Sequence, residues 1–232
     1  NIYSFVNTLD APQIFINELD PERNDILLNN VIYDSSSLSF TLDKKLIELK
    51  VISAGGHDGS FGSIQLNGYE QLPNTYYWGL VAAEIDSVTL EPISIRYFYV
   101  PDPGVLDSLA NYVNRLPENT LVAMTISADA VQNVLGGVGS RSRNAIKTLG
   151  SLYIDSVKYR ESWCILGKKG APIGSVPEAY KKLFQGVAQI EVTKLVTYDS
   201  GYVLFPLAEN FKSLDKILIK TQRPENSSVE YV

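Results

Sequence analysis

The chain has 232 residues and carries 20 lysines and arginines against 26 aspartates and glutamates, a formal net charge of −6. That balance argues against a protein that binds the nucleic-acid backbone and against electrostatic attraction to an anionic membrane. No apolar run approaches the ~20 residues that span a bilayer. We therefore expect no nucleic-acid partner and no membrane insertion. A single cysteine also excludes an intrachain disulfide.

Both ends of the chain predict short strands joined by turns. The runs at 13–17, 30–33 and 37–42 alternate or carry β-branched and aromatic residues, with Asn, Asp, Pro and Ser between them. Similar apolar runs lie at 202–205 and 216–220. We interpret residues 1–45 and 199–232 as β-rich flanks of a central domain at 46–198.

The central residues alternate strand and helix patterns. We predict strands at 46–54, 63–67, 78–86, 93–100, 120–126, 162–167 and 188–196, helices at 105–116 and 140–149, a short helical segment ending at 135, and a helical turn at 177–183. In the second helix, Arg141, Arg143 and Lys147 are expected to face outward. The predicted fold class is α+β, a mixed β-sheet sandwich flanked by helices.

Residues suited to catalysis are scarce in this sequence. The histidine count is one, and His57 lies in residues 55–62, which hold four glycines. The glycine spacing fits neither a dinucleotide fingerprint nor a P-loop, so we interpret this segment as a hairpin turn. Cys164 lies in an apolar run and is expected to be buried. We therefore predict a protein that is not an enzyme and that has no cofactor and no metal site.

The most informative stretch runs from 149 to 170. It leads from the end of the second helix into an aromatic and charged cluster that contains Tyr159, Arg160, Glu161 and Trp163, followed by an apolar strand. Two interpretations stay open. Arg160 and Glu161 form a structural ion pair beside a core tryptophan, or they bind a polar ligand such as a sugar.

Several motifs accompany this cluster in a fixed order. They are the Gly-initiated strand and turn at 79–92, Ile-Arg-Tyr-Phe at 95–98, Asn-Thr-Leu-Val-Ala-Met-Thr at 119–125, Ala-to-Leu-Gly at 145–150, the aromatic-Arg-acidic-x-Trp motif at 159–163, and Gly-Lys-Lys-Gly-Ala-Pro-Ile-Gly at 167–174. Together they resemble the interleukin-like EMT inducer (ILEI/PANDER) family over roughly residues 46–198. The last run is especially similar to the stem domain of protein O-mannose N-acetylglucosaminyltransferase.

The resemblance implies a compact β-sandwich without catalysis of its own and, for the stem-type member, a shallow site for β-linked N-acetylglucosamine. The motif arginine corresponds to Arg160, and the acidic residue after the preceding strand corresponds to Asp129, or to its neighbour Ala128 in an alternative alignment. Trp78 stands where the family has an arginine, so it either stacks on a ligand or shields the sheet. Asp129 is alternatively a helix cap. Glu161 completes the candidate ligand-binding set.

The function implied is a glycan-binding module whose partner is a glycan or glycoprotein. We expect it in a larger extracellular, cell-surface or virion protein, such as a viral or phage tail fibre. The chain begins at Asn1, and we interpret it as a piece of a longer protein. Paired cysteines of the cytokine-like members are absent, which favours a microbial or viral relative. The alternative is an assembly or cytokine-like interaction domain that forms homo-oligomers through its β flanks.

Overall fold

The computed structural model describes residues 2–6, 13–15, 27–34, 36–37, 39–72, 78–102, 104–204, 220–222 and 228–231. The strands are β1 (Ile2–Val6), β2 (Gln13–Phe15), β3 (Leu27–Asn29), β4 (Val31–Asp34), β5 (Ser39–Leu42), β6 (Lys44–Gly55), β7 (Phe61–Leu66), β8 (Tyr69–Glu70), β9 (Gly79–Ile85), β10 (Pro92–Tyr99), β11 (Leu121–Ala128), β12 (Ser162–Lys168), β13 (Glu178–Lys181), β14 (Ala188–Thr197), β15 (Ser200–Leu204), β16 (Lys220–Gln222) and β17 (Ser228–Tyr231). The helices are α1 (Val105–Arg115) and α2 (Arg141–Lys147), with a π-helical turn at Val131–Leu135 and a 3-10 turn at Ile154–Ser156.

The chain forms two compact units, one made of residues 47–194 and the other of residues 1–46 together with 195–232. The second of these holds two antiparallel sheets, ordered β17–β1–β15–β3 and β16–β2–β5–β4. Val31, Phe40, Leu42 and Val203 are buried in this unit. Apart from Lys220, the strand predicted at 216–220 lies outside the described residues.

The 47–194 unit is built on a mixed sheet that contains the order β10–β9–β11–β6–β7–β8. Its central strand, β11, changes partner along one edge. Residues 121–125 pair antiparallel with β12, and then Ser127 and Ala128 pair parallel with β6. The other edge of β11 pairs antiparallel with β9 throughout. Because β6 and β12 share one edge of β11, the sheet curls, which confirms the predicted mixed sheet flanked by helices.

Alternate residues of β11 and β12 face the two helices. Met124, Ile126, Trp163 and Ile165 are buried in one cluster with residues of α1 and α2 such as Leu109 and Ile146. Residues between them point to the opposite face, as expected from the strand period of two. There the Thr125 hydroxyl donates to the Ile52 carbonyl at 2.6 Å, and the Cys164 thiol donates to the Val51 carbonyl at 3.4 Å. Burial of Trp163 and Cys164, both expected from the sequence, is confirmed.

The two predicted α-helices are confirmed, but the outward orientation of Arg143 is wrong. Arg143 is 2% exposed, and its guanidinium donates to the backbone carbonyls of Gly136, Ile154 and Val157. These carbonyls lie in the loop after the π-helical turn, in the first residue of the 3-10 turn and just after that turn, and a buried donor satisfies them. Burial lowers the pKa of Arg143, against the opposing effect of Asp155.

The helical turn predicted at 177–183 is also wrong, because Glu178–Lys181 forms strand β13. Tertiary partners decide this outcome. β13 pairs antiparallel with β12, placing Tyr180 opposite Trp163. The Glu178 carboxylate accepts hydrogen bonds from the Trp163 indole at 2.6 Å and from the Leu152 amide at 2.7 Å. A local pattern cannot anticipate such distant donors.

Candidate functional site

The candidate ligand residues lie at one end of the sheet of the 47–194 unit. Strands β6 and β11 end there, and β9 and β12 begin there. In the ladders, Ala128 lies opposite Gly55 and Ser127 lies opposite Gly79. The topology therefore brings four separate parts of the chain to one end of the sheet, and it explains how Asp129 and Arg160 come together.

Asp129 anchors the backbone of Arg160. Asp129 is 1% exposed, and its Oδ1 accepts hydrogen bonds from the amides of Arg160 at 3.0 Å and of Val131 at 3.1 Å. The Val131 amide lies at the start of the π-helical turn, so Asp129 holds both this turn and the Arg160 backbone, and its binding of a ligand stays a prediction. Its Oδ2 is buried and has no hydrogen-bond partner among the described residues. Buried polar atoms ordinarily have a partner, so Oδ2 is an acceptor with unused capacity.

The backbone around this site is strained. Positive φ angles occur at Ser60 (57°), Ala128 (60°), Arg160 (60°) and Phe184 (63°). The left-handed conformation costs roughly 1–2 kcal/mol for a residue with a Cβ atom. Residues held in such conformations cluster at ligand sites, because the surrounding structure fixes them. Half of the described non-glycine residues with a positive φ lie at this sheet end, the others being Asn30, Asn67, Leu90 and Asn119.

The glycine-rich segment provides the space in which Arg160 lies. As predicted, it connects β6 and β7 as a hairpin. It has a second role that the sequence did not reveal. A Cβ atom at Gly55 would lie 2.0 Å from the Arg160 carbonyl oxygen, and one at Gly56 would lie 2.6 Å from Arg160 Cδ. Only residues without a side chain allow Arg160 to approach this closely.

Four side chains form a continuous surface that we call the Arg160 strip: Phe184, His57, Arg160 and Tyr159. The rings of Phe184 and His57 are 5.0 Å apart, His57 Nε2 lies 3.3 Å from Arg160 Nη1, and Arg160 Cζ lies 5.0 Å from the Tyr159 ring centroid. Phe184 is 73% exposed and Tyr159 is 44% exposed. The strip is therefore a row of planar groups open to solvent.

Asp58 holds one end of the Arg160 strip in place. Its two carboxylate oxygens accept hydrogen bonds from the amide of Phe184 at 3.2 Å and from the amide of Gly186 at 2.9 Å. The Phe184 ring is thus exposed while its backbone is fixed. A large exposed ring on a fixed backbone is unusual for a surface loop, and it reduces the entropy that a ligand contact would cost.

The predicted ion pair between Arg160 and Glu161, one of the two interpretations, does not form. The ion pairs of the described residues are Arg141–Asp107 and Lys147–Asp155. Glu161 is 7% exposed, and its Oε2 accepts from the Lys158 amide at 2.8 Å and from the Tyr180 hydroxyl. Burial, followed by this contact with Glu161, raises the pKa of Tyr180 to about 12.

Trp78 lies on the helix-covered side of the domain. It is half-buried and packs against the cluster around α1 and α2, while its carbonyl accepts from the Val100 amide at 2.8 Å. Within the described ranges, no hydrogen bond or ring contact joins Trp78 to Arg160 or Asp129. It therefore shields the core, the second of the two roles considered for it. Stacking of Trp78 on a ligand stays a prediction.

Sequence reasoning missed His57 and Phe184 as members of the site. His57 was interpreted as a turn residue, and Phe184 follows the segment wrongly predicted to be helical. The signal that could have found them is the strand register, which places the two loops side by side. In the part of the chain that the structure describes, no three His, Cys, Asp or Glu residues are grouped to hold a metal ion, and no helix has the length and apolar character to cross a membrane.

The fold and site define an α+β domain with a polar, ring-lined surface at one sheet end. Residues 79–171 match the family model of the interleukin-like EMT inducer, which confirms the resemblance predicted from the motifs over this stretch. The matched stretch includes Asp129, Arg160 and Glu161 but not His57 or Phe184. Among curated proteins, none matches this chain. The finer likeness to the glycosyltransferase stem stays a prediction.

Proposed function

We propose that the 47–194 unit is a non-catalytic carbohydrate-binding module whose ligand lies on the Arg160 strip. The observation that carries the proposal is the exposed Phe184 ring, fixed through Asp58 and continued by His57, Arg160 and Tyr159. Flat apolar faces beside a few hydrogen-bonding groups are the usual components of a small-ligand site. A pyranose ring offers the complementary surface, with an apolar face and a rim of hydroxyls.

The polar groups of the site have separate roles in this proposal. The Arg160 guanidinium is in no ion pair of the described residues, so its planar donors are available to ligand hydroxyls. Asp129 Oδ2 supplies an acceptor for a hydroxyl that reaches beneath the strip. Together they give the site a donor and an acceptor at fixed positions, which is what orients a sugar.

The family match and the resemblance to the stem domain support N-acetylglucosamine-terminated glycans as the first ligands to test. On the same basis, we propose that the module belongs to a larger extracellular, cell-surface or viral fibre protein. The partner would then be a glycan or glycoprotein on another surface.

Calorimetric titration of the full chain with a panel of short glycans tests the proposal. We expect binding by at least one saccharide, and a loss of affinity of about tenfold or more in Phe184→Ala, about 1.4 kcal/mol. Tyr69→Ala removes an aromatic ring that is 76% exposed but lies on β8, away from the strip, and it is the matched control. A correctly folded chain that binds no saccharide in the panel would contradict the proposal.

A second candidate function is assembly through the 1–46 and 195–232 unit. Strands β3 and β4 stand at the ends of their described strand orders, with Leu27 57% and Ile32 49% exposed. Exposed apolar residues on an outer strand favour pairing with another chain. Sedimentation should then show a homo-oligomer that Leu27→Lys or Ile32→Lys dissociates. A wild-type chain that stays monomeric at high concentration would argue against assembly.

A further inference from the structure

A second surface lies between strand β10 and helix α1, on a different part of the 47–194 unit. Two cavities of about 510 Å³ and about 450 Å³ meet there, and they share Arg96, Ser108 and Tyr112 in their linings. We treat them as one groove, the β10–α1 groove. The 11 residues of α1 give it a length of roughly 16 Å, enough for two or three sugar rings.

Tyr112 forms the middle of the β10–α1 groove. The Arg96 guanidinium carbon lies 5.3 Å from the Tyr112 ring centroid, and the Phe98 ring packs against Tyr112 at 5.6 Å. Burial, followed by the charge of Glu84, raises the pKa of Tyr112, which keeps its hydroxyl neutral. The Arg96 guanidinium thus lies over a half-buried ring at the surface of the groove.

The cations of the groove are not neutralised by direct contacts. Arg96 and Arg115 both line the larger cavity, and neither belongs to an ion pair among the residues that the structure describes. The acidic lining residues are Glu84, beside Tyr112, and Asp102, which lines the other cavity. The groove as a whole therefore holds two guanidinium groups and two carboxylates, and the larger cavity, which both arginines line, holds one of those carboxylates.

The remaining lining residues of the groove favour a saccharide over a peptide as its ligand. Phe98, Val105 and Leu116 are 6%, 4% and 7% exposed, so they form the floor and leave no apolar pocket for a peptide side chain. The exposed lining is mostly hydrogen-bonding, with Ser108, Asn111 and the two arginines beside Tyr97 and Asp102, while Pro117 is its exposed apolar member. Hydroxyl-rich ligands use such groups, and planar guanidinium groups recognise carboxylate and sulfate.

We propose that the β10–α1 groove binds an oxyanion-bearing saccharide, with its carboxylate or sulfate held by Arg96 and Arg115 and its hydroxyls by Ser108 and Asn111. This site shares no residue with the Arg160 strip. The inference therefore stands whether or not the strip binds a neutral sugar, and a variant at either site tests one of them alone.

Titration of the isotope-labelled full chain, followed by amide and Asn side-chain NMR signals, tests this inference. The probes are a sulfated uronate–glucosamine disaccharide, its desulfated neutral counterpart, inorganic sulfate and a short glutamate peptide. We expect the sulfated disaccharide to shift signals of Asn111 and its neighbours, with an affinity about tenfold weaker in Arg96→Gln and in Arg115→Gln. Added salt should weaken it further.

One control keeps the result specific. Arg141→Gln removes an exposed arginine of α2 that pairs with Asp107, and it should leave the disaccharide affinity unchanged. Equal affinity in wild type, Arg96→Gln and Arg115→Gln would overturn the inference. So would inorganic sulfate binding as tightly as the disaccharide, or binding of the glutamate peptide alone.

Discussion

Two arginines of the 47–194 unit show how differently the same side chain is used. Arg143 is 2% exposed and donates to three backbone carbonyls. Arg160 is half-buried, has a left-handed backbone, and places its guanidinium against His57 and Tyr159 rather than against carbonyls. Both lie near turns in polar stretches of sequence. The two arginines differ in whether backbone acceptors surround the guanidinium group.

The difference has an energetic consequence. The donors of Arg143 are used in holding the loop after the π-helical turn and the 3-10 turn together, so its removal should affect folding. The fixed feature of Arg160 is its amide, bonded to Asp129, whereas its guanidinium contributes little to the fold. Removal of the Arg160 side chain should therefore affect binding and leave folding nearly unchanged.

The largest effect is expected from Arg143→Met. It leaves three buried carbonyls without a donor, and we expect a loss of about 3–5 kcal/mol in the free energy of unfolding. Urea denaturation followed by circular dichroism measures it. The matched control is Arg141→Met on the same helix, whose side chain is 65% exposed in a surface ion pair, with an expected loss within about 1 kcal/mol. Similar losses of unfolding free energy in Arg143→Met and Arg141→Met would contradict a structural role for the buried guanidinium of Arg143.

Gly55→Ala should have the next largest effect. The new Cβ atom would meet the Arg160 carbonyl oxygen, so the backbone has to move, at about 1–3 kcal/mol, and Arg160 has to shift. Denaturation measures the first effect, and the amide chemical shifts of Arg160 and Asp129 report the second. Gly137→Ala, where the added atom meets nothing within 4 Å, is the control and should change stability by less than about 1 kcal/mol.

The pH dependence of stability at Cys164 tests whether water is excluded from strand β12, which follows Arg160 in the chain. Burial raises the pKa of its thiol from 9.0 to about 12, so its contribution to stability is complete below pH 9 and is lost as the pH rises towards 12. Between pH 7 and pH 10, wild type should lose about 1.4 kcal/mol relative to Cys164→Ala. Unfolding free energies of the two proteins across this pH range give the difference. A constant difference would mean that water reaches the thiol.

The smallest effect concerns the backbone strain at Arg160. Arg160→Gly should be more stable than Arg160→Ala by about 1 kcal/mol, because glycine adopts a positive φ without strain. At the exposed helical position Arg141 the order should reverse, with alanine the more stable by about 0.5–1 kcal/mol. Thermal denaturation of the four variants decides this. Alanine more stable than glycine at both positions would contradict a left-handed Arg160 in solution.

Local signals allowed part of this structure to be predicted. The helical spacing of apolar residues located α1, and Ser140 was expected to begin the second helix and does accept from the Arg143 amide at 3.2 Å. The order of the motifs predicted the resemblance that the family model matches at residues 79–171. The meeting of Asp129 and Arg160 followed from the resemblance, although the bond runs through the Arg160 amide rather than its side chain.

The features that the sequence did not predict depend on contacts between residues that are far apart in the chain. The segment around Glu178 forms a strand although its local pattern predicted a helical turn. Its hydrogen-bond partners Trp163 and Leu152 lie 15 and 26 residues away in the sequence, so a local pattern does not reveal them. The Arg160 strip joins His57 to Arg160 across 103 residues, and the partner change of β11 decides that the two meet. No periodicity within a short window contains that information.

The partner change of β11 also has an evolutionary consequence. The ladders that define the fold stop at Gly55, Ala128 and Ser162, and the residues of the Arg160 strip lie in the connections beyond these points. Connections at the surface tolerate substitution and insertion far better than paired strands do. New specificities can therefore arise by changing the loops at 56–60 and 182–187 without disturbing the paired strands.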